Sequence, residues 1–129
     1  IISPMRIWLF IAALCGAVGV LLGAFAAHGL SGRLDGRLLG VFDTGARYQM
    51  YHATAMGLAA LAMQGQARTR ARLAAMAFLA GIILFAGSLY LLALTGALKL
   101  ALLTPLCGAA FLAGWGLLAA AALKLPSSD

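Results

Sequence analysis

The chain has 129 residues, of which 64% are hydrophobic and only 9% charged, against about 25% charged in an ordinary soluble domain. That composition excludes a disordered segment and a soluble globular domain. Nine Lys and Arg against three Asp give a net charge of +6, but the charges punctuate the sequence instead of covering a surface. Without a Gly-Lys-Ser/Thr phosphate loop or a basic stripe interleaved with aromatics, no nucleic-acid partner is expected, and the basic residues are read as favouring anionic headgroups of membrane lipids.

Between the charges run four uncharged stretches, Ile7 to Gly32, Tyr48 to Ala67, Leu73 to Leu98 and Leu100 to Leu123, of 26, 20, 26 and 24 residues. A hydrocarbon core of about 30 Å takes about 20 residues of helix. The predicted fold is all-α, an integral membrane four-helix bundle forming one domain over 5–129, with spans near 7–28, 46–65, 73–95 and 100–123. Ile1 to Pro4 precede Met5 and read as a cloning remnant. Span one is too long for a signal-peptide core and is expected to stay uncleaved. Its Gly19, Gly23 and Ala27 are four apart and form a seam of small residues for close helix approach. Cys15 there and Cys107 in span four lack Cys-x-x-Cys spacing or a neighbouring His, and read as reduced core thiols.

The connection from Gly29 to Thr44 carries Leu34, Leu38, Val41 and Phe42 at helical spacing beside Arg33 and Arg37, which suggests a short interfacial helix. Its four glycines weaken that helix, so a loop on the headgroups is the other reading. Thr44 is the expected N-cap of span two. Gln64 to Arg72 joins spans two and three, and Gly96 to Lys99 makes a tight turn into span four. Ser88 in span three is expected to bond back to its own helix, and Pro105 to bend span four and free a carbonyl that Thr104 or a neighbour satisfies. Five basic residues (Arg6, Arg68, Arg70, Arg72, Lys124) fall on one side against four on the other. The bias favours a multi-pass protein of the inner membrane with both termini cytoplasmic.

The densest polar cluster opens span two, from Asp43 to His52. Asp43, Arg47 and Tyr51 form one i, i+4, i+8 row, and Thr44, Tyr48 and His52 the adjacent one, so an ion pair and hydrogen-bond donors share a helix surface. His52 is placed just inside the hydrocarbon, and His28, leaving span one on the same side, converges with it if the two spans are neighbours. Three readings stay open: an interfacial belt with Arg47 snorkelling, a site for a small polar solute, proton or lipid headgroup, and a redox or metal site using both histidines. No paired carboxylates, catalytic residues or dedicated metal ligands are seen, and no cofactor is assigned.

Several segments taken together, Gly23-Ala24-Phe25-Ala26-Ala27-His28-Gly29, Ala46-Arg47-Tyr48-Gln49-Met50-Tyr51-His52, Phe85 to Gly96, and Thr104-Pro105 through Gly114-Trp115, resemble the bacterial domain-of-unknown-function 423 family, itself similar to the eukaryotic transmembrane protein 256 family. Ala26 and Phe42 depart from the pattern, where Gly and Trp are usual. The resemblance implies a small polytopic inner-membrane protein and supplies no reaction. It draws attention to His28, Arg47, Tyr48, Gln49 and His52 as matches to the motif. The expected function is a non-enzymatic interaction or accessory component, or a ligand- or lipid-binding one. The alternatives are a small-solute, ion or proton transporter formed as an oligomer, and a haem- or quinone-linked redox protein. A homo-oligomer or a larger membrane complex is the expected company.

Overall fold

A computed structural model describes residues 3–127. In chain order it contains α1 (Pro4–His28), α2 (Gly36–Leu61), a 3-10 turn (Gly65–Ala67), α3 (Arg68–Gly81), a π-helical turn (Ile82–Ala86), α4 (Gly87–Thr95) and α5 (Leu100–Ala122). From Gly65 to Thr95 the helical path is continuous. That rod, α1 and α5 are long and apolar enough to cross a membrane. α2 is as long, but Arg37, Asp43 and Arg47 interrupt its first half.

The helices alternate in direction. Phe25 near the end of α1 meets Phe42 near the start of α2, and Gly57 late in α2 faces Leu9 and Ala12 early in α1. α2 is the centre of the molecule, with ten buried residues against three each in α1 and α5. α1 lies on one side of it, α3 and α4 lie on another, and α5 rests mainly on α3 and α4. The main core is built of Met56, Phe78, Ile82 and Phe111 set among alanines, and a smaller one of Ala26, Leu30, Phe42 and Ala93 closes the other end. Small side chains let the helix axes approach, which is how helices associate where water supplies no hydrophobic drive.

Two boundaries differ from expectation. The segment after Gly29 does not form a helix of its own: a short turn precedes Gly36, and α2 begins there, capped by Asp35, whose Oδ1 accepts from the Leu38 amide at 2.8 Å. Burial of Phe42, 1% exposed, between Phe25 and Tyr90 outweighs the glycine penalty. Thr44 is therefore not an N-cap. It sits inside α2 with its hydroxyl on the Gly40 carbonyl at 2.9 Å.

At the start of the chain, Ile1 and Ile2 lie outside the described residues, while Ser3 caps α1 by accepting from the Arg6 amide and Pro4 occupies its first turn. Gly96 ends α4 in the left-handed region at φ 70°, making the expected turn. Ser88 does bond back, to the Phe85 carbonyl at 2.7 Å, and also meets the Thr104 hydroxyl at 2.9 Å. Thr104 serves the Leu100 carbonyl at 3.0 Å, one residue before Ala101, whose partner Pro105 removes.

Candidate functional site: an aromatic groove around His52

The longer α2 moves the polar cluster from the helix end to its middle. Tyr48, Gln49 and His52 stand twelve to sixteen residues after Gly36, about 18–24 Å along the axis. Facing them are Cys15 in the middle of α1, the π turn, and Phe111 in the middle of α5.

His52 is 5% exposed and held on both ring nitrogens. The indole N–H of Trp115 donates to Nε2 at 3.1 Å. Indole has no acceptor, so Nε2 carries the lone pair, the proton is on Nδ1, and Nδ1–H donates to the Tyr48 carbonyl at 2.7 Å. The ring stacks on Phe111 with centroids 3.5 Å apart and planes 9° from parallel. Phe78 and Trp115 flank it at 5.8 and 6.0 Å. The geometry thus fixes one neutral tautomer with no free nitrogen.

Gln49 does a different job one residue-face away. Its Nε2 donates to the Cys15 carbonyl of α1 at 2.9 Å, and its Oε1 accepts from the Tyr90 hydroxyl of α4 at 2.7 Å. One side chain therefore joins three helices through a buried hydrogen-bond chain. Tyr90 fits because Gly45 opposite has no side chain: a Cβ there would lie 2.8 Å from the ring.

Between α2 and α5 runs a groove of about 460 Å³ lined by Tyr48, Tyr51, His52, Phe85, Gly108, Phe111, Leu112 and Trp115. Six of these eight residues carry rings. Tyr48 joins the two walls, 5.2 Å from Phe85 and 5.7 Å from Tyr51. The π turn supplies Phe85; an extra residue in that turn rotates the following side chains relative to a regular α-helix. Among the described residues neither the Tyr48 nor the Tyr51 hydroxyl has a hydrogen-bond partner, and both side chains are exposed along the groove.

Asp43 and Arg47 form the predicted i, i+4 pair, Nη2 to Oδ2 at 2.9 Å and Nε to Oδ2 at 3.1 Å, outside the groove on the open face of α2. His28 does not join the cluster. α1 and α2 are neighbours, but their register sets Cys15 beside Gln49, so the exposed His28 is thirteen residues, about 20 Å, from that level. A paired-histidine site is thereby overturned. Trp115, Phe111, Phe85 and Tyr90 were not singled out as site residues from sequence. The readable signal was Trp115 between two glycines within an apolar span, where an indole N–H calls for a partner.

Relatives cover nearly all of the chain. It is 39% identical over 121 residues to the UPF0382 membrane protein YwdK of Bacillus subtilis (strain 168), covering 93% of this chain and 98% of that one. It is 43% identical over 120 residues to a UPF0382 membrane protein of Haemophilus influenzae, covering 93% and 96%. To the UPF0382 inner membrane protein YgdD of Escherichia coli (strain K12) it is 39% identical over 120 residues, covering 93% and 92%. No solved structure matches the chain. The family model described as protein of unknown function (DUF423) matches residues 22–108, which span α2, the π turn and the start of α5, and the chain belongs to this family of membrane proteins.

Proposed function

We propose that this is a four-span protein of the bacterial inner membrane, acting as a ligand-binding or accessory component whose α2–α5 groove holds a small molecule of the lipid phase. The four-span reading rests on connectivity. α1 and the Gly65–Thr95 rod are both apolar enough to cross, and both start at the same end of the bundle, because α2 runs back along α1. If those two cross, α2 crosses between them. The inner membrane is named for the Escherichia coli relative. The end bearing Arg6, Arg68, Arg70, Arg72 and Lys124 has no Asp or Glu among the described residues, which supports cytoplasmic termini. Impermeant maleimide labelling of intact cells is expected at a Ser31→Cys replacement and not at Thr69→Cys; the reverse pattern would invert the orientation.

The observation that carries the binding reading is the groove's imbalance. Its volume of about 460 Å³ falls in the usual range for small-molecule sites. Its walls are aromatic, His52 has no nitrogen to spare, and the polar atoms left over are two phenol hydroxyls. That set suits an apolar body carrying one or two acceptor oxygens. A membrane quinone and a glycerolipid both meet this description. Haem ligation by His52 would require breaking the Trp115 bond, which disfavours the haem version of the redox alternative.

The test is native mass spectrometry of protein released from lipid nanodiscs. Wild type is expected to retain a discrete added mass that is lost in Tyr48→Phe/Tyr51→Phe, which keeps both rings and removes both hydroxyls. The mass distinguishes a quinone from a phospholipid. Wild type that flies bare, or a double variant that keeps the mass, would end the proposal.

A further inference from the structure

At the end of the bundle away from the chain termini, α1 and α2 frame a cleft of about 300 Å³, lined by Ala26, Ala27, Gly36, Leu39, Gly40 and Asp43. None of these residues lines the aromatic groove, so the two sites are separate. Two glycines leave the floor of the cleft bare: a Cβ at Gly36 or Gly40 would meet nothing within 4 Å. Asp43 is the one charged side chain among the six. At about 100° per residue Arg47 falls on the same face of α2, one turn further in, and its guanidinium reaches back to Asp43.

The pair closes on a single oxygen. Nε and Nη2 of Arg47 both meet Oδ2 of Asp43, at 3.1 and 2.9 Å, and among the described residues Oδ1 of Asp43 and Nη1 of Arg47 have no partner. The cleft therefore presents an open carboxylate oxygen beside open guanidinium N–H groups, and the pair as a whole carries no net charge. Its depth follows from the four-span placement proposed above, on which this inference rests. His52 stacks on Phe111, which stands twelve residues after Lys99 and thirteen before Lys124, at the middle of α5. Asp43 precedes His52 by nine residues, about 13.5 Å along α2. That lies just inside the half-thickness of about 15 Å of a hydrocarbon core, the level at which phospholipid headgroups begin.

We infer that this cleft binds the headgroup of phosphatidylethanolamine. The ammonium enters over Gly36 and Gly40 and donates to Oδ1 of Asp43, and the phosphate accepts from the N–H groups that Arg47 has to spare. The pair selects the lipid. Phosphatidylglycerol brings a phosphate for Arg47 but no cation for Asp43. Phosphatidylcholine brings both charges, but its quaternary ammonium has no N–H to donate. Phosphatidylethanolamine supplies an anion that accepts and a cation that donates, so both members of the pair gain a charged partner at a depth where water is scarce.

The experiment counts lipids retained by the protein on release from nanodiscs made of equal parts phosphatidylethanolamine, phosphatidylcholine and phosphatidylglycerol with identical acyl chains, read by native mass spectrometry. It is run in the Tyr48→Phe/Tyr51→Phe background, so that the groove's own ligand does not enter the comparison and a failure of the groove reading leaves this one readable. Phosphatidylethanolamine is expected to be retained about tenfold over phosphatidylcholine, the ratio that one charge-assisted hydrogen bond supports. Asp43→Asn, which keeps the shape and removes the charge, is expected to abolish that preference. Gly40→Leu, which leaves both charges in place and fills the cleft, is expected to abolish it as well, and it decides alone should Asp43→Asn fail to fold. Equal retention of the three lipids, a preference for phosphatidylglycerol, or a preference for phosphatidylethanolamine that survives in either folded variant would each overturn the inference. The maleimide experiment separately reports whether the span placement itself is at fault.

Discussion

Trp115 and His52, 63 residues apart, are joined by a 3.1 Å hydrogen bond that ties α5 to α2 in the middle of the molecule. The bond has one direction, indole to imidazole, and it decides the tautomer of the whole site. Phe111, one turn before Trp115 on α5, stacks on the same imidazole. The contact thus couples the groove's walls to the helix pair that forms them.

The first prediction is energetic coupling between those two side chains. Interhelical hydrogen bonds in membranes average about 0.6 kcal/mol and reach about 1.7. A double-mutant cycle of His52→Leu and Trp115→Phe, read by reversible unfolding in mixed micelles, is expected to return a coupling in that range. Additive losses would mean that the bond contributes nothing beyond its parts.

Gln49 is predicted to matter more than its single position suggests, because it satisfies groups on two neighbouring helices. Gln49→Leu removes both bonds and leaves the Tyr90 hydroxyl buried without its acceptor, which costs about 1–3 kcal/mol. Adding Tyr90→Phe to Gln49→Leu removes the orphaned hydroxyl and is expected to recover part of that loss. A double variant less stable than Gln49→Leu alone would show that Tyr90 has another partner.

Much of this arrangement was legible in charge spacing. Runs free of charge gave four helical rods, and the i, i+4 rows gave the Asp43–Arg47 pair. The sequence reading failed where tertiary burial overrode local signals. Glycines at 36 and 40 argued against helix, but Phe42 is sealed between Phe25 and Tyr90, so α2 starts early and carries Tyr48 and His52 inward. That single shift turns an interfacial belt into a mid-helix site and parts His52 from His28. The π turn at Ile82–Ala86 left no mark either, since its residues suit an α-helix equally well. Trp115 was readable as an indole donor inside an apolar span, but its acceptor depended on which helix lies opposite.

The groove reading makes a spectroscopic prediction. Trp8 and Trp115 are the two tryptophans of the chain, so Trp8→Phe leaves Trp115 as a reporter on the groove wall. In vesicles containing a membrane quinone, a strong quencher at contact, Trp115 emission is expected to fall saturably, and linearly in the Tyr48→Phe/Tyr51→Phe background. Quenching that is linear in both would indicate collision from the bulk lipid and remove the quinone as occupant.

The last prediction concerns the α3–α5 seam that backs the groove. Phe111 of α5 lies over Gly81 of α3, and Phe78 of α3 lies over Gly114 of α5, each ring occupying the space of the other helix's missing side chain. A Cβ at Gly114 would sit 2.6 Å from Phe78, which is 0% exposed and has nowhere to go. Gly→Ala in a helix ordinarily gains up to about 1 kcal/mol, whereas overpacking a filled interior costs about 1–3 kcal/mol. At Gly81 and Gly114 the clash wins, and each Ala variant is expected to unfold earlier than wild type in detergent. Gly116, two residues on, has open space around its Cβ position, so Gly116→Ala is expected to be neutral or stabilising. Since Phe111 also carries His52, Gly81→Ala should disturb Trp115 emission while Gly116→Ala leaves it unchanged. Equal behaviour of the three variants would mean that the rings do not interlock in this way.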